Sequence, residues 1–421
     1  MTQNQIKKEK LQPVRGTKDL YGAEISAFNH IVNIAKKTAA LYGFSEIATP
    51  IFEFSEIYER NLGETSDIIS KEVYKFPDRG DNFLTLRPEF TAGVVRAFIS
   101  NGDLQQNLPQ KLFSSGAIFR YDRPQKGRQR QFHQINFENI GQNHFLSDVE
   151  MIALAASVLN NLGVLEKTEL HINSLGCEKT KANYQNALTE YFSKYQNDLS
   201  VDSQNRLQKN PLRILDSKDA KDIELAKNAP QISDFYEESV KNNFANILKS
   251  LDGLSINYKV NQRLVRGLDY YTSTVFEFIT NDLGAQNTVL AGGRYDNLIA
   301  KMGGQDLPAI GCAAGIERLM LLSNLETKTP RPVSIIYVTE NEQNEALKLA
   351  LNLRNSGIYA EIIFGGNMKK QMRKATASNS GFVVIIGEEE LKTEQFTVKN
   401  FDLGTEEKVA TNNLVKYLQS F

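Results

Sequence analysis

Two cysteines in 421 residues, Cys177 and Cys312, are too few to staple a secreted scaffold, so a reducing compartment is expected. With only four scattered histidines (His30, His133, His144, His171), they argue against a structural zinc site, and no metal ligands are assigned. No apolar run nears the roughly 20 residues of a membrane span, 151–159 being among the longest. The opening MTQNQIKKEK is charged but leads into no apolar segment, so no signal peptide and no membrane association are expected, and the expected location is cytoplasmic. Nothing repeats at a period of about 20–50 residues, which excludes a solenoid or propeller. Excess charge is missing too: 49 basic against 50 acidic residues leave a net charge of −1, so any polyanion must be met by a local basic patch. Absent as well are G-x-x-x-x-G-K-[ST], G-x-G-x-x-G, C-x-x-C and H-E-x-x-H; a phosphate site here must be built from arginines on a sheet. What is present, 41% apolar and 24% charged residues, is ordinary globular protein long enough for two to four domains.

Ile25, Phe28, Val32, Ala35 and Ala39 recur at helical steps and predict a helix over 24–41, stopped by Gly43 and carrying His30 as a surface or interface residue. A second helix is predicted over 148–162, capped by Ser147 and ended by Gly163. Short β-type runs fall at 46–49, 73–76, 83–86, 111–121, 131–140 and 170–173. Residues 177–250 are polar, rich in Asn, Lys and Gln, and helix-periodic, as a helical insertion is. Strand signals resume at 258–260, 275–280, 288–290 and 310–314. The expected fold class is α+β: one mostly antiparallel sheet interrupted by the insertion, over 1–325. The stretch 326–332, ETKTPRP, is expected to be a linker. Strands at 335–338, 360–364 and 382–386 alternate with helices at 341–356 and 367–378, giving a separate α/β domain over 333–421. Its 11 basic and 11 acidic residues over 331–421 cancel, yet Lys369, Lys370, Arg373 and Lys374 cluster after Gly365-Gly366. That cluster is either a phosphate-contacting face or an ordinary solvated helix face.

The segment FRYDRPQKGRQRQFHQ, 119–134, sets Arg120, Arg123, Lys126, Arg128 and Arg130 against the single acid Asp122. Pro124 and Gly127 place a turn in its middle, so it is expected to be strand, basic loop, strand. Arg120 ends an apolar run and so calls for a carboxylate or a phosphate to grip in two places. Counting by two, Phe132, Gln134, Asn136 and Glu138 share one strand face, a poor core but a good pocket wall. Glu89 sits in TLRPEFTAG, and LVRGLDYYTST adds Arg266, Asp269, Tyr270 and Tyr271 ahead of a strand. AGGRYD, 291–296, is read as a possible glycine turn. PAIGCAAGIERLML is read as a small-residue strand entering a helix with Glu317 and Arg318. Arg79-Gly80-Asp81 is read as a hairpin turn.

Taken together, FRYDRPQKGRQRQFHQINFENIG resembles motif 2 of class II aminoacyl-tRNA synthetases in its histidyl form. LVRGLDYYTSTVFEF and AGGRYDNLI resemble the two histidine-specific motifs, PAIGCAAGIERLMLL motif 3 and YGFSEIATPIFE motif 1; VRGTKDLYG and TLRPEFTAGVVRA are also similar. The resemblance to the histidyl-tRNA synthetase family covers nearly the whole chain. It implies a six-stranded antiparallel catalytic sheet, a helical insertion, a C-terminal α/β anticodon-binding domain and a homodimer with residues 42–53 near the interface.

The same resemblance implies ATP-dependent formation of histidyl-adenylate from L-histidine, then transfer to the 3′ end of tRNA-His. By motif position, Arg120 holds the α-phosphate, and Arg266 sits between that phosphate and the substrate carboxylate as the second catalytic residue. Phe132 and Arg318 sandwich the adenine, and Mg²⁺ rides on the β- and γ-phosphates with few protein ligands. Glu89, Thr91 and Gln134 receive the α-amino group, while Glu138 and the Tyr270-Tyr271 pair, through Tyr271, read the imidazole. Gln125, Arg128 and Arg130 face the acceptor stem, and Lys369, Lys370 and Arg373 the anticodon side. No editing domain is expected. Phe90 departs from the pattern, standing where many relatives would have glycine. The lack of an appended N-terminal domain suggests a bacterial-type enzyme. Two rivals remain, a non-catalytic regulatory subunit of ATP phosphoribosyltransferase and a tRNA-binding module without charging activity.

Overall fold

The computed structural model describes residues 11–59, 72–125, 127–284, 287–323 and 331–421, in two compact units that divide between Glu326 and Thr327. Residues 326–330 of the expected linker, and Lys126, lie outside the described residues.

The first unit is built on strands β1 (Ser45–Glu46), β2 (Phe52–Phe54), β3 (Tyr74–Pro77), β4 (Phe83–Leu86), β5 (Gln110–Phe119), β6 (Gln131–Ile140), β7 (Glu169–Ser174), β8 (Tyr258–Val260), β9 (Thr274–Ile279), β10 (Thr288–Arg294) and β11 (Ala309–Gly315). Eight of these form one sheet in the order β1-β5-β6-β11-β10-β9-β7-β8. Its six central members pair antiparallel throughout, and the short β1 and β8 extend the two edges as parallel neighbours of β5 and β7. The expected six-stranded sheet is therefore the centre of a larger one. A small second sheet, β2-β4-β3, includes a strand at Phe52–Phe54 that the sequence pattern had not suggested. The turn between β3 and β4 holds Arg79-Gly80-Asp81, with the Asp78 carboxylate accepting from the Gly80 and Asn82 N–H groups.

One face of the main sheet is covered by helices Ala23–Leu41, Leu146–Asn161, Glu238–Gly253 and Ile316–Leu322. Ile31, Ala35, Ile152, Leu159, Ile247 and Leu319 of these helices pack with Phe113, Ile135, Phe137, Ile310 and Cys312 of the strands into one core. Because side chains alternate along a strand, the residues between these buried positions point to the opposite face, which is left for the site. Ser147 is not a helix cap. It lies within the first turn of Leu146–Asn161, where its hydroxyl accepts from Arg294 Nη2 at 2.7 Å. Arg294 also clasps Asp148 with Nε and Nη2, at 2.6–3.1 Å, and so binds β10 to that helix through a buried ion pair.

AGGRYD is no turn either: Ala291–Arg294 is the end of β10, in the middle of the sheet. A methyl on Gly292 would strike the Gly311 carbonyl of the neighbouring strand, so glycine is needed for close packing rather than for a bend. Between β7 and β8 the polar block is helical, and its Tyr184, Leu188, Leu207, Leu212 and Ile214 share a second core with Val95, Phe98, Tyr270 and Tyr271.

The second unit is a mixed sheet, β13-β12-β14-β15-β16, from β12 (Val333–Tyr337), β13 (Ala360–Ile362), β14 (Phe382–Ile386), β15 (Gln395–Asn400) and β16 (Thr405–Ala410). Helix Gln343–Asn355 packs Leu349 and Leu353 on one face, and helix Met368–Ala377 packs Ala375 on the other. β12 pairs in parallel with β13 and β14, as the alternation predicts, and the antiparallel pair β15–β16 adds an edge the sequence did not announce. Among the described residues, no helix is long and apolar enough to cross a membrane.

Candidate active site

The uncovered face of the main sheet floors a cleft of about 1040 Å³. Register fixes that floor. Glu277 of β9 pairs with Ala291, Ala291 with Ala313, and Ala313 with Asn136, so one row runs polar, small, small, polar across four strands. The next row carries Val275, Gly293, Gly311 and Glu138. Small residues on β10 and β11 hollow out the middle, and β6 raises a wall of Phe132, Gln134 and Asn136 on the face the alternation predicted.

Glu138 lies fully buried beneath the floor, its carboxylate resting on Gly311, where any side chain would collide with it. One oxygen accepts from Thr91 Oγ1 at 2.6 Å and Asn136 Nδ2 at 3.1 Å, the other from the Tyr295 hydroxyl. Burial raises its pKa to about 7 against the pull of these three donors. A carboxylate has about four acceptor positions, so one remains for a ligand. Tyr295 sits in the AGGRYD motif but was not singled out from sequence; a tyrosine following a strand looks like core until its hydroxyl is seen to have a carboxylate partner.

Glu89 is also buried, and it does local work. Its oxygens accept from the Thr91 and Ala92 N–H groups at 2.5 and 2.8 Å, satisfying the first turn of helix Thr91–Ser100. Burial raises its pKa, opposed by these bonds and by Arg120.

Arg120 reaches into the cleft from the end of β5, donating from Nε to the Pro88 carbonyl at 2.9 Å and lying 5.4 Å from the Phe132 ring centroid. Arg318 enters from the opposite side, its Nη1 donating to the Thr288 carbonyl at 2.6 Å. Burial lowers the pKa of both, and each is lowered further by the Arg128 charge. Guanidinium groups crowded this way in a desolvated cleft favour an incoming anion. Phe132 and Arg318 are held in step by their chain neighbours: Glu317 accepts from the His133 N–H at 3.0–3.1 Å and meets His133 Nδ1 at 2.8 Å.

Arg266, Tyr270 and Tyr271 arrive on the loop between β8 and β9. Arg266 forms an ion pair with Glu277, a partner absent from the sequence reading, and lies 5.5 Å from the Tyr271 ring centroid. Burial lowers its pKa, but Glu277 together with Tyr271 and Tyr270 outweighs this and leaves it raised; its Nε–H is buried with no hydrogen-bond partner. The Tyr270 and Tyr271 rings are 4.8 Å apart.

The cleft therefore brings together Glu89, Thr91, Arg120, Phe132, Gln134, Arg266, Tyr270, Tyr271 and Arg318, with Glu138 one layer below. The basic loop is more committed than its charge suggested. Gln125 and Arg128 bond across a tight turn; Arg128 pairs with Asp122 and lies 3.6 Å from Glu72. Arg130 donates to the Asp122 carbonyl and lies over the Tyr121 ring. Arg123 and Gln125 are exposed. Phe90 is buried beneath the Arg87 guanidinium at 4.3 Å, so its bulk supports the wall that Arg87 ties to the Thr49 and Ala117 carbonyls. In the second unit, Lys369, Lys370, Arg373 and Lys374 are all exposed on helix Met368–Ala377.

The family model for histidyl-tRNA synthetase matches residues 16–319, and that for an anticodon binding domain matches residues 332–421. A histidine–tRNA ligase of Wolbachia pipientis from Culex pipiens is 50% identical over 96% of this chain and 99% of its own. One from Rickettsia bellii is 48% identical over 94% and 95%. The apo histidyl-tRNA synthetase of S. aureus superposes with a TM-score of 0.81 at 32% identity, covering 97% of this chain and 99% of that one.

Proposed function

The chain belongs to the histidyl-tRNA synthetase family, and with that as premise we propose how its cleft performs histidine–tRNA ligation. L-Histidine and ATP form histidyl-adenylate and pyrophosphate; the amino acid then passes to the 3′ end of tRNA-His. The convergence of Arg120, Arg266 and Arg318 on one cleft above Glu138 carries this reading.

Attack of a carboxylate on a phosphate ester joins two anions, so positioning and fixed positive charge supply most of the catalysis. Arg120 takes the α-phosphate; its Nε is committed to Pro88, which leaves the fork of its terminal nitrogens directed by the strand end rather than free to swing. Phe132 and Arg318 take the adenine between them. Arg266 exchanges part of its hold on Glu277 for the substrate carboxylate and α-phosphate, and the unpartnered Nε–H is the donor available for it. Mg²⁺ bound to the β- and γ-phosphates would neutralise charge there. Among the described residues no three His, Cys, Asp or Glu side chains gather into a cation cage, which fits an ion held largely by phosphates and water with few protein ligands, and no step here depends on it.

For specificity, the remaining acceptor position of Glu138 takes an imidazole N–H, and Tyr271 donates to the other ring nitrogen, while Glu89, Thr91 and Gln134 receive the α-amino group. A site that leaves such buried polar groups unpaired with a wrong amino acid rejects it by roughly 10⁴–10⁵ without editing.

The chain acts on tRNA as a cytoplasmic homodimer. The outer face of β2-β4-β3 supports the dimer: Phe52, Phe54 and Phe76 are exposed side by side with Leu84 and Leu86, an apolar patch of the kind that a second subunit covers. Arg123, Gln125, Arg128 and Arg130 face the acceptor stem, and Lys369, Lys370 and Arg373 the anticodon side. Histidine-dependent ATP–pyrophosphate exchange tests the core of the proposal. Exchange that requires histidine is expected; its absence in folded protein would favour a regulatory or purely RNA-binding role.

A further inference from the structure

The loop that carries Arg266, Tyr270 and Tyr271 forms neither helix nor strand between β8 and the start of β9. Without a ladder of its own, its placement depends on what satisfies its backbone. Two side chains from the helical insertion do so, and a third holds one of the loop's side chains. Arg213, itself buried, donates from Nη1 to the Arg266 carbonyl at 3.0 Å. Lys181, on helix Glu178–Ser193, donates from Nζ to the Tyr271 carbonyl at 3.3 Å. Asn210, after helix Val201–Lys209, donates from Nδ2 to Asp269 Oδ1 at 3.1 Å. The grips thus fall along the stretch of the loop from Arg266 to Tyr271 that carries the site residues. Leu212, Ile214 and Leu188 of the insertion share a core with Tyr270 and Tyr271, so apolar packing backs the same contacts. Lys181 is half-buried, and burial pulls its pKa down against the Asp269 charge; an ammonium would not be placed there without acceptors to use it.

We infer that the insertion is the jig of the amino-acid site: Lys181, Asn210 and Arg213 are positioning residues that set Arg266, Tyr270 and Tyr271 against histidine, Arg213 from the wall of the cleft and the other two from behind it. The inference rests on the reading of this loop as the histidine-recognising one. A polar helical block with no catalytic motif then has a role in the first half-reaction, before tRNA is involved.

The test is pyrophosphate exchange by the full chain, with histidine and ATP varied separately. Losing a bond from a charged donor costs about 1.5–3 kcal/mol, roughly 10- to 100-fold. Arg213→Met and Lys181→Met are each expected to raise the KM for histidine about tenfold and leave the KM for ATP within twofold. Arg213→Lys should recover part of the loss, and the Lys181→Met/Arg213→Met double variant should fall short of the product of the singles, because both act on one loop. Asn210→Ala gives a milder version if either methionine variant fails to fold. Tyr271→Phe separates the two layers of the argument. If Tyr271→Phe raises the histidine KM and the insertion variants do not, the inference fails and the site reading stands. If Tyr271→Phe has no effect, the reading fails and takes the inference with it. Equal rises in both KM values, tracking a fall in Tm, would also overturn it.

Discussion

The arginines of the cleft and the lysines of helix Met368–Ala377 carry the same charge in opposite surroundings. Arg120, Arg266 and Arg318 are drawn out of water, and each is anchored before any ligand arrives: on the Pro88 carbonyl, on Glu277 and on the Thr288 carbonyl. Lys369, Lys370 and Arg373 stand exposed on one turn and a half of helix, and Lys374 reaches back to the Phe364 and Gly365 carbonyls. Desolvated charge is costly to bury and strong once it meets its partner; solvated charge is cheap and weak, and salt screens it. A reaction at one phosphorus atom needs the first kind. Contact with a long polyanion, where several modest attractions add, can use the second.

The largest break in that contrast should come from Arg266→Ala. Removing a preorganised charge aimed at the developing phosphorane typically costs about 10²–10³ in kcat. That is the expected fall in exchange rate, with histidine binding by calorimetry changed far less. The variant also strands Glu277 in the cleft, so a drop in thermal stability is expected alongside; Glu277→Gln in the same chain should restore stability but not rate. A variant that retains wild-type kcat would remove Arg266 from the chemistry.

Glu138→Gln comes next and sharpens the contrast on the acidic side. The folded carboxyl titrates at about 7, above the ordinary carboxylate value, because burial penalises its charged form. Its protonated form is therefore favoured by folding. The stabilisation is complete below the unfolded value and lost as pH rises through 7, amounting to about 3 kcal/mol for a shift of this size. Glu138→Gln should accordingly be more stable than the parent at pH 8 and no different at pH 4. Function should move the other way. The ionised carboxylate accepts an imidazole N–H far more strongly than the carboxylic acid does, so parental histidine affinity should weaken as pH falls below 7. The glutamine variant should lose that slope and about 10²-fold of its preference for histidine over near-isosteric amino acids. A parental slope that persists in Glu138→Gln would assign it to the substrate's own imidazole.

The same contrast explains what could be read in advance. Period-two alternation over Phe132, Gln134, Asn136 and Glu138 exposed the pocket wall, because an amphipathic strand whose wrong face is polar has few other uses. The polar block at 177–250 and the β-α-β alternation after 332 were legible as organisation. Partners contributed by distant segments were not. Tyr295, Glu277 and Arg213 acquire meaning only when register and loop packing bring them to Glu138 and Arg266, separated from them by 157, 11 and 53 positions. Ser147 followed the local rule for a cap, but Arg294 claimed its hydroxyl from β10. The edge strand β16, TEEKVA, is almost wholly exposed, and so lacks the buried alternation that identifies a strand. Arg128 and Arg130 looked unpartnered because Asp122 is one acid among five cations; the turn brings the Asp122 carboxylate to Arg128 and its main-chain carbonyl to Arg130.

The smallest effect belongs to the exposed helix face. Lys369→Ala and Lys370→Ala should each weaken tRNA binding only a few-fold at moderate ionic strength, and by less at high salt. Neither should alter pyrophosphate exchange, which requires no tRNA. If each lysine meets one phosphate, each substitution should also reduce the slope of log affinity against log salt by about 1. Asn367 and the paired glycines before it hold the helix start in place, Asn367 accepting from the Lys370 N–H at 3.1 Å, so neither alanine should disturb the fold. A salt slope unchanged in the double variant would return the cluster to an ordinary solvated helix face. The reverse outcome, a large loss that salt does not diminish, would mean that this face binds by buried, specific contacts after all, and that the division drawn here between the two kinds of charge does not follow the division between the two units.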